Sequence, residues 1–203
     1  MIISKYNVLI GTLIGDGHIQ KVQSSTGKCR LRISHGYQQK DYVDWKYSFF
    51  ESECPQPPVF NTKKPEVTFY TAYSEEMAMY HQMFYREYKG KYHKFLPDNL
   101  MIDTVALAVL YMDDGTKRLD CDQCRLATHN YSLDEIKKLQ QLFIDNFQLP
   151  SHIVKAGRSK LYKHQWYQLV FSAKHFHILY SLIGDFIKVQ VPSMYYKIKP
   201  RND

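Results

Sequence analysis

The chain has 203 residues, with 27 lysines and arginines against 20 aspartates and glutamates, a formal charge of +7. Its 44% apolar content supports a core and excludes wholesale disorder, and no apolar run approaches the ~20 residues of a membrane span. The positive excess points to a polyanionic partner, nucleic acid before an anionic membrane surface. No basic leader with a cleavage site opens the sequence. Cys121-x-x-Cys124 lacks a second pair at zinc spacing, so the four cysteines read as reduced thiols of an intracellular protein.

The first element, N-V-L-I-G-T-L-I-G-D-G-H-I-Q over 7–20, reads as a buried helix near 4–15. Gly11 and Gly15 each cost it roughly 1 kcal/mol relative to alanine, and Asp16 closes it at the negative end of its dipole. Glycines four apart leave a groove for a second backbone. Strands follow near 18–35. There Lys28, Arg30, Arg32 and Ser34 alternate with Cys29, Leu31 and Ile33, which puts cations on one sheet face and apolar side chains on the other. A helix near 39–53, strands near 58–72 with Lys63 and Lys64 between them, and a helix near 74–89 complete a first unit. Lys89–Asp103 reads as a linker.

The pattern then recurs. L-A-V-L-Y-M-D-D-G over 107–115 ends a helix near 103–113 on Asp114-Gly115, as the first ends on Asp16-Gly17. Thr128-His129-Asn130-Tyr131 echoes Ser34-His35-Gly36-Tyr37, Ser172-Ala173 echoes Thr71-Ala72, and Pro192 echoes Pro97. Strands near 116–129 and 151–172 and helices near 132–147 and 174–187 repeat the unit, with Ser132 and Glu135 as a capping box. Lys117, Arg118 and Arg125 repeat the cationic strand, and Lys155, Arg158, Lys160, Lys163 and His164 load the last hairpin. The chain therefore divides into copies at 1–98 and 99–203, each an αββαββα unit, in an α+β fold. The helices near 4–15 and 103–113 should pack side by side, with Ala106 and Ala108 against the glycines and Gly17 and Gly115 as left-handed caps. Asp16 and Asp114 then meet, and two carboxylates so placed call for a hard divalent cation such as Mg²⁺ between them.

L-I-G-T-L-I-G-D-G and L-A-V-L-Y-M-D-D-G, together with the late P-S-M-Y-Y-K-I, resemble the LAGLIDADG homing endonucleases in their single-chain, two-motif, intron-encoded branch. Thr12 and Val109 depart from the motif, while both acids are intact. The resemblance implies two pseudo-symmetric units with antiparallel saddle-shaped sheets around a central helix pair. It implies a monomer that cuts both strands of a long asymmetric DNA target, leaving short 3′ overhangs, with Mg²⁺ as cofactor and Mn²⁺ able to substitute. It also implies Asp16 and Asp114 as the metal-binding catalytic acids, with the main-chain carbonyls of Gly15 and Asp113 beside them. Lys94 and Lys197 become the basic residues approaching each centre, and His35 and His129 fall near the metal-bound water.

Two-stranded ribbons fit the major groove of double-stranded DNA. The expected DNA-binding residues are His18, Gln20, Lys28, Arg30, Arg32, Lys63, Lys64, Lys117, Arg118, Arg125, Lys155, Arg158, Lys160 and Lys163. The alternative is an RNA-binding maturase that assists splicing of its host intron; a pure splicing factor could lose the acid pair. A transcription regulator on this scaffold would want an added helix-turn-helix, for which 203 residues leave no room. The compartment is open between an organelle (mitochondrion or chloroplast) and the bacterial cytoplasm.

Overall fold

The computed structural model describes residues 3–22, 27–158 and 165–201. The first half runs α1 (Lys5–Ile14), β1 (His18–Lys21), β2 (Cys29–Gly36), α2 (Lys40–Tyr47), β3 (Val59–Asn61), β4 (Glu66–Tyr70), α3 (Glu75–Phe84). A hairpin of β5 (Tyr85–Tyr88) and β6 (Lys91–Lys94) follows. The second half runs α4 (Thr104–Asp114), β7 (Gly115–Lys117), β8 (Cys124–Ala127), α5 (Leu133–Phe147), β9 (His152–Arg158), β10 (Gln165–Phe171), α6 (Ala173–Gln190), then a 3₁₀ turn over Pro192–Lys197. The first antiparallel sheet has the order β1-β2-β4-β3, and the second repeats it as β7-β8-β10-β9. The repeat legible in the sequence is thus a repeat of topology.

α1 and α4 form the spine, and both are buried over nearly their whole length. A Cβ on Gly11 would stand 2.5 Å from the Ala106 carbonyl oxygen and 2.8 Å from Val109 Cβ. One on Gly15 would stand 2.5 Å from an Asp113 carboxylate oxygen. The two glycines therefore exist for close approach. Gly11 receives Ala106 and Val109, which lie nearest to it, and Ala108 is buried. The far ends are tied by Asn7, whose Nδ2 donates to Asp103 Oδ2 at 2.5 Å, while Asp103 Oδ1 caps α4 at the Ala106 N–H.

Three expectations need correction. Gly17 and Gly115 are not left-handed: Gly115 has φ −76°, and neither is among the positive-φ residues. Space is the reason for them, since a Cβ would strike Thr12 at Gly17 and the Tyr111 carbonyl at Gly115. The helix expected over 74–89 stops at Phe84, because Tyr85–Tyr88 pairs with Lys91–Lys94 about a two-residue turn with positive φ at Lys89 and Gly90. That turn matches the right-handed strand twist, so the supposed linker begins as an ordered hairpin that runs to Lys94. In the capping box only Ser132 plays its part, accepting from the Glu135 N–H; the Glu135 carboxylate instead accepts from the Leu96 N–H.

In the first sheet Leu31, Ile33, Val67 and Phe69 face the helices, while His18, Gln20, Arg30, Arg32, Ser34, Thr68 and Tyr70 share the open face. The strand alternation is as the sequence dictates. All four cysteines are free thiols, and among the described residues no helix is long and apolar enough to cross a membrane.

Candidate active site

α1 gives out at Ile14 and α4 at Asp114, so Asp16 and Asp114 emerge together at the ends of the two packed helices. Their carboxyls are not ordinary. Burial first, and then the Asp16 and Asp113 charges, pushes Asp114 up to about 8, and burial and Asp113 raise Asp16. Such a pair resists ionising together at two helix C-termini, where the dipoles also oppose negative charge.

Two lysines come from elsewhere to meet it. Lys94, the last residue of β6, donates from Nζ to the Gly15 carbonyl oxygen at 2.5 Å. Lys197, at the end of the 3₁₀ turn that Pro192 starts, donates to the Met112 and Asp113 carbonyl oxygens at 2.5 and 2.8 Å. Burial lowers the pKa of both, Lys94 to about 8, against the opposing pull of the aspartates. Each lysine thus rests on the carbonyl just before a catalytic-type acid, in matching positions of the two halves.

The histidines do not match. His35 is buried, with Nδ1 3.9 Å from Asp16 and Nε2 3.6 Å from Asp113. Burial, and Lys46 next to it, pushes it down to about 4, so it is a neutral imidazole at neutral pH. His129 is exposed and leans on the Trp166 ring, with centroids 5.2 Å apart.

The larger departure is Asp113, from which only a carbonyl oxygen was expected. Its side chain is wholly buried and crosses the helix interface toward the first half. Oδ1 accepts from Tyr42 Oη at 2.8 Å and Lys46 Nζ at 2.7 Å, and Oδ2 accepts from the Asp16 N–H at 3.1 Å. Although its own burial pushes the other way, Lys46 and His35 together hold the Asp113 carboxyl below the usual range. Asp16, His35 and Asp113 bring ligand-type atoms within 4.8 Å of one another, but both Asp113 oxygens already accept hydrogen bonds. Sequence reasoning missed Tyr42 and Lys46. The signal was there: Lys46 falls on the apolar stripe of α2 with Tyr42 and Val43, a poor place for a solvated cation. Tyr131, which donates to the Ile14 carbonyl oxygen at 2.7 Å, was also missed.

Flanking this centre lie the two open sheet faces. The profile of the LAGLIDADG DNA endonuclease family matches residues 6–179. The chain belongs to that family. Among solved structures, it is similar to the homing endonuclease I-WcaI bound to its DNA recognition sequence (TM-score 0.75, 20% identity, 97% of this chain and 86% of that one). It is also similar to I-DmoI in complex with DNA and Mn (TM-score 0.55, 12% identity, 88% and 96%). Among curated proteins, a RecA of Mycobacterium gastri is 31% identical over 115 residues, 55% of this chain and 26% of that protein. An uncharacterized protein of Methanocaldococcus jannaschii is 33% identical over 113 residues, 54% and 41%. The chain spans about a quarter of the length of the RecA relatives it matches.

In this LAGLIDADG chain the expected DNA-facing cations fare unequally. Arg30 is held between Tyr70 and Tyr73, 4.1 and 4.9 Å from the ring centroids, and its Nε donates to Gln20. Arg32, paired across the strands with His18, lies 3.8 Å from Glu66. Lys28 is exposed just before β2, and Lys63 and Lys64 are exposed between β3 and β4. In the second half Arg125 is exposed on a groove of 660 Å³ shared with Thr116, Val154, Gln168 and Val170. Lys117 lines the same groove, but its ammonium turns to Asp122 at 3.1 Å and lies over the Phe176 ring. Arg118 is exposed but paired with Asp120. Lys155 is opposite Tyr167, which packs on the core, so strand alternation puts it on the other face from Val154 and Gln168. Arg158 pairs with Gln165 in the backbone register. Lys160, Lys163 and His164 lie outside the described residues.

Proposed function

We propose that the chain is a site-specific double-strand DNA endonuclease of intron homing that hydrolyses one phosphodiester in each strand of a long asymmetric target and leaves short 3′ overhangs. The observation that carries this reading is the matched pair of Asp16 and Asp114 at abutting helix ends, each with a lysine on the carbonyl before it. The copies at 1–98 and 99–203 each bring one acid, so a single chain serves a whole site. The I-WcaI and I-DmoI structures carry DNA, and that of I-DmoI carries Mn, which supports double-stranded DNA and a divalent metal as partners here.

The donor set fits a hard divalent ion: two carboxylates and the Gly15 and Asp113 carbonyls are all oxygen, and ammonium groups are already drawn to those carbonyls. Mg²⁺, or Mn²⁺ in its place, would supply Lewis-acid charge at the scissile phosphates and water of lowered pKa. Lys94 and Lys197 stand ready to meet charge as it develops on the phosphorane, and neutral His35, with Nε2 lacking a hydrogen-bond partner, is suited to orient water. Arg30, Arg32 and Arg125 offer cations to the DNA on the open faces. A cleavage selection on randomised DNA, with Mg²⁺ and with EDTA, identifies the target and the ends. On that target Asp16→Asn and Asp114→Asn should abolish double-strand cleavage and leave affinity largely intact. Full cutting by either variant sinks the proposed centre, and intron-RNA binding without any DNA cutting by the unaltered chain favours the maturase.

A further inference from the structure

The two halves of the centre are built differently. Where the first half has Gly15, the second has Asp113, and the glycine is what admits the Asp113 carboxylate, since a Cβ at Gly15 would lie 2.5 Å from Oδ2. That carboxylate is anchored on α2 by Tyr42 and Lys46, and it grips the backbone N–H of Asp16 at 3.1 Å. His35 lies beside the same two acids, at 3.6 Å from Asp113 and 3.9 Å from Asp16, without a hydrogen bond from its Nε2. With Tyr37 matched to Tyr131, the second-half counterparts of Tyr42, Lys46 and His35 are Ile136, Gln140 and His129. Ile136 is core, Gln140 donates to the Ser151 carbonyl oxygen, and His129 is exposed against Trp166. Gly15, the counterpart of Asp113, has no side chain with which to brace Asp114.

We propose that Asp113 is a positioning residue for Asp16 alone: held by Lys46 and Tyr42, it fixes the Asp16 backbone, so that cleavage of one DNA strand depends on this network and cleavage of the other does not. The inference rests on the endonuclease reading. Both Asp113 oxygens are taken by protein donors, so its carboxylate acts through Asp16 rather than on the phosphate. A loss of Asp113 should misplace one acid and spare the other, and a displacement of about 1 Å can cost ~100-fold in rate.

The test uses supercoiled plasmid carrying one copy of the selected target, in Mg²⁺, with single-turnover kinetics and end-labelled duplexes to assign the cut strand. The unaltered chain should pass to linear product with little open circle. Asp113→Asn should accumulate open circle nicked in one and the same strand, with the rate on the other strand within a few-fold of normal and affinity unchanged. Tyr42→Phe, which removes one donor and keeps the ring and the ion pair, should show a weaker bias toward the same strand. The double variant Asp113→Gly with Lys46→Met removes the network without leaving a buried lone charge, and should give the full bias if Asp113→Asn proves poorly folded. Variants that slow both strands equally, or neither, while the unaltered chain cuts both, overturn the positioning role and leave the endonuclease reading standing. No cutting by the unaltered chain on DNA that it binds overturns both.

Discussion

Asp114 is the residue at which folding and function pull apart. Its carboxyl stays protonated up to about 8 in the folded chain because burial, Asp16 and Asp113 all oppose its charge, whereas an unfolded aspartate releases its proton near pH 4. Between those values the folded state holds more protons than the unfolded state, so this group removes stability as pH rises through the window. In EDTA, Asp114→Asn should therefore raise the melting temperature little at pH 5 and progressively more toward pH 8. A gain that shrinks with pH would contradict the assignment. Differencing against the unaltered chain matters here, because His35, pushed down to about 4, acts in the opposite direction below its ordinary value. The lysines answer to a different measurement. Lys94→Ala and Lys197→Ala should slow single-turnover cleavage by about 10²–10³-fold with little change in affinity, since their work begins as phosphate charge develops.

Among elements, the α1–α4 seam decides most. Gly11→Ala improves helix propensity by about 1 kcal/mol, yet its new Cβ meets the Ala106 carbonyl at 2.5 Å, and backbone cannot yield cheaply. Overpacking of this kind costs roughly 1–3 kcal/mol, so urea melts should show net destabilisation. Gly36→Ala is the control: a Cβ there meets nothing within 4 Å, and the midpoint should move by less than the equivalent of about 0.5 kcal/mol. The buried Lys46–Asp113 pair makes α2 the other sensitive element, and Lys46→Met alone, by stranding a buried carboxylate, should cost about 3–5 kcal/mol.

At the scale of the molecule, two copies in one chain make a pseudo-dimer, and the proposed enzyme should sediment on its target as one chain per duplex; two chains would refute the duplication. Arg30→Ala with Arg32→Ala should weaken binding to all sequences alike and lower the salt slope by about two if both meet phosphate. Should one of them read a guanine, discrimination at that base pair weakens instead, by roughly 1–3 kcal/mol.

The duplicated motif, the alternation of Lys28 to Ser34, and the glycines before each acid were legible because they are local: period, spacing and residue size act within one element. Those features sufficed for the α+β class, the paired sheets and the meeting of Asp16 with Asp114. The β5–β6 hairpin was not legible, because Tyr85 leaves the helix to bury its ring and accept from the Ile19 N–H across the fold. Nor was the burial of Lys117, whose partner Asp122 lies beyond a turn and whose ring neighbour Phe176 lies on α6. Asp113 is the sharpest case. From the sequence it is one acid beside another at a helix end, and only the crossing of α1 and α4 brings its carboxylate to Tyr42, Lys46 and the Asp16 N–H, because a buried charge takes whatever donors the packed partner presents.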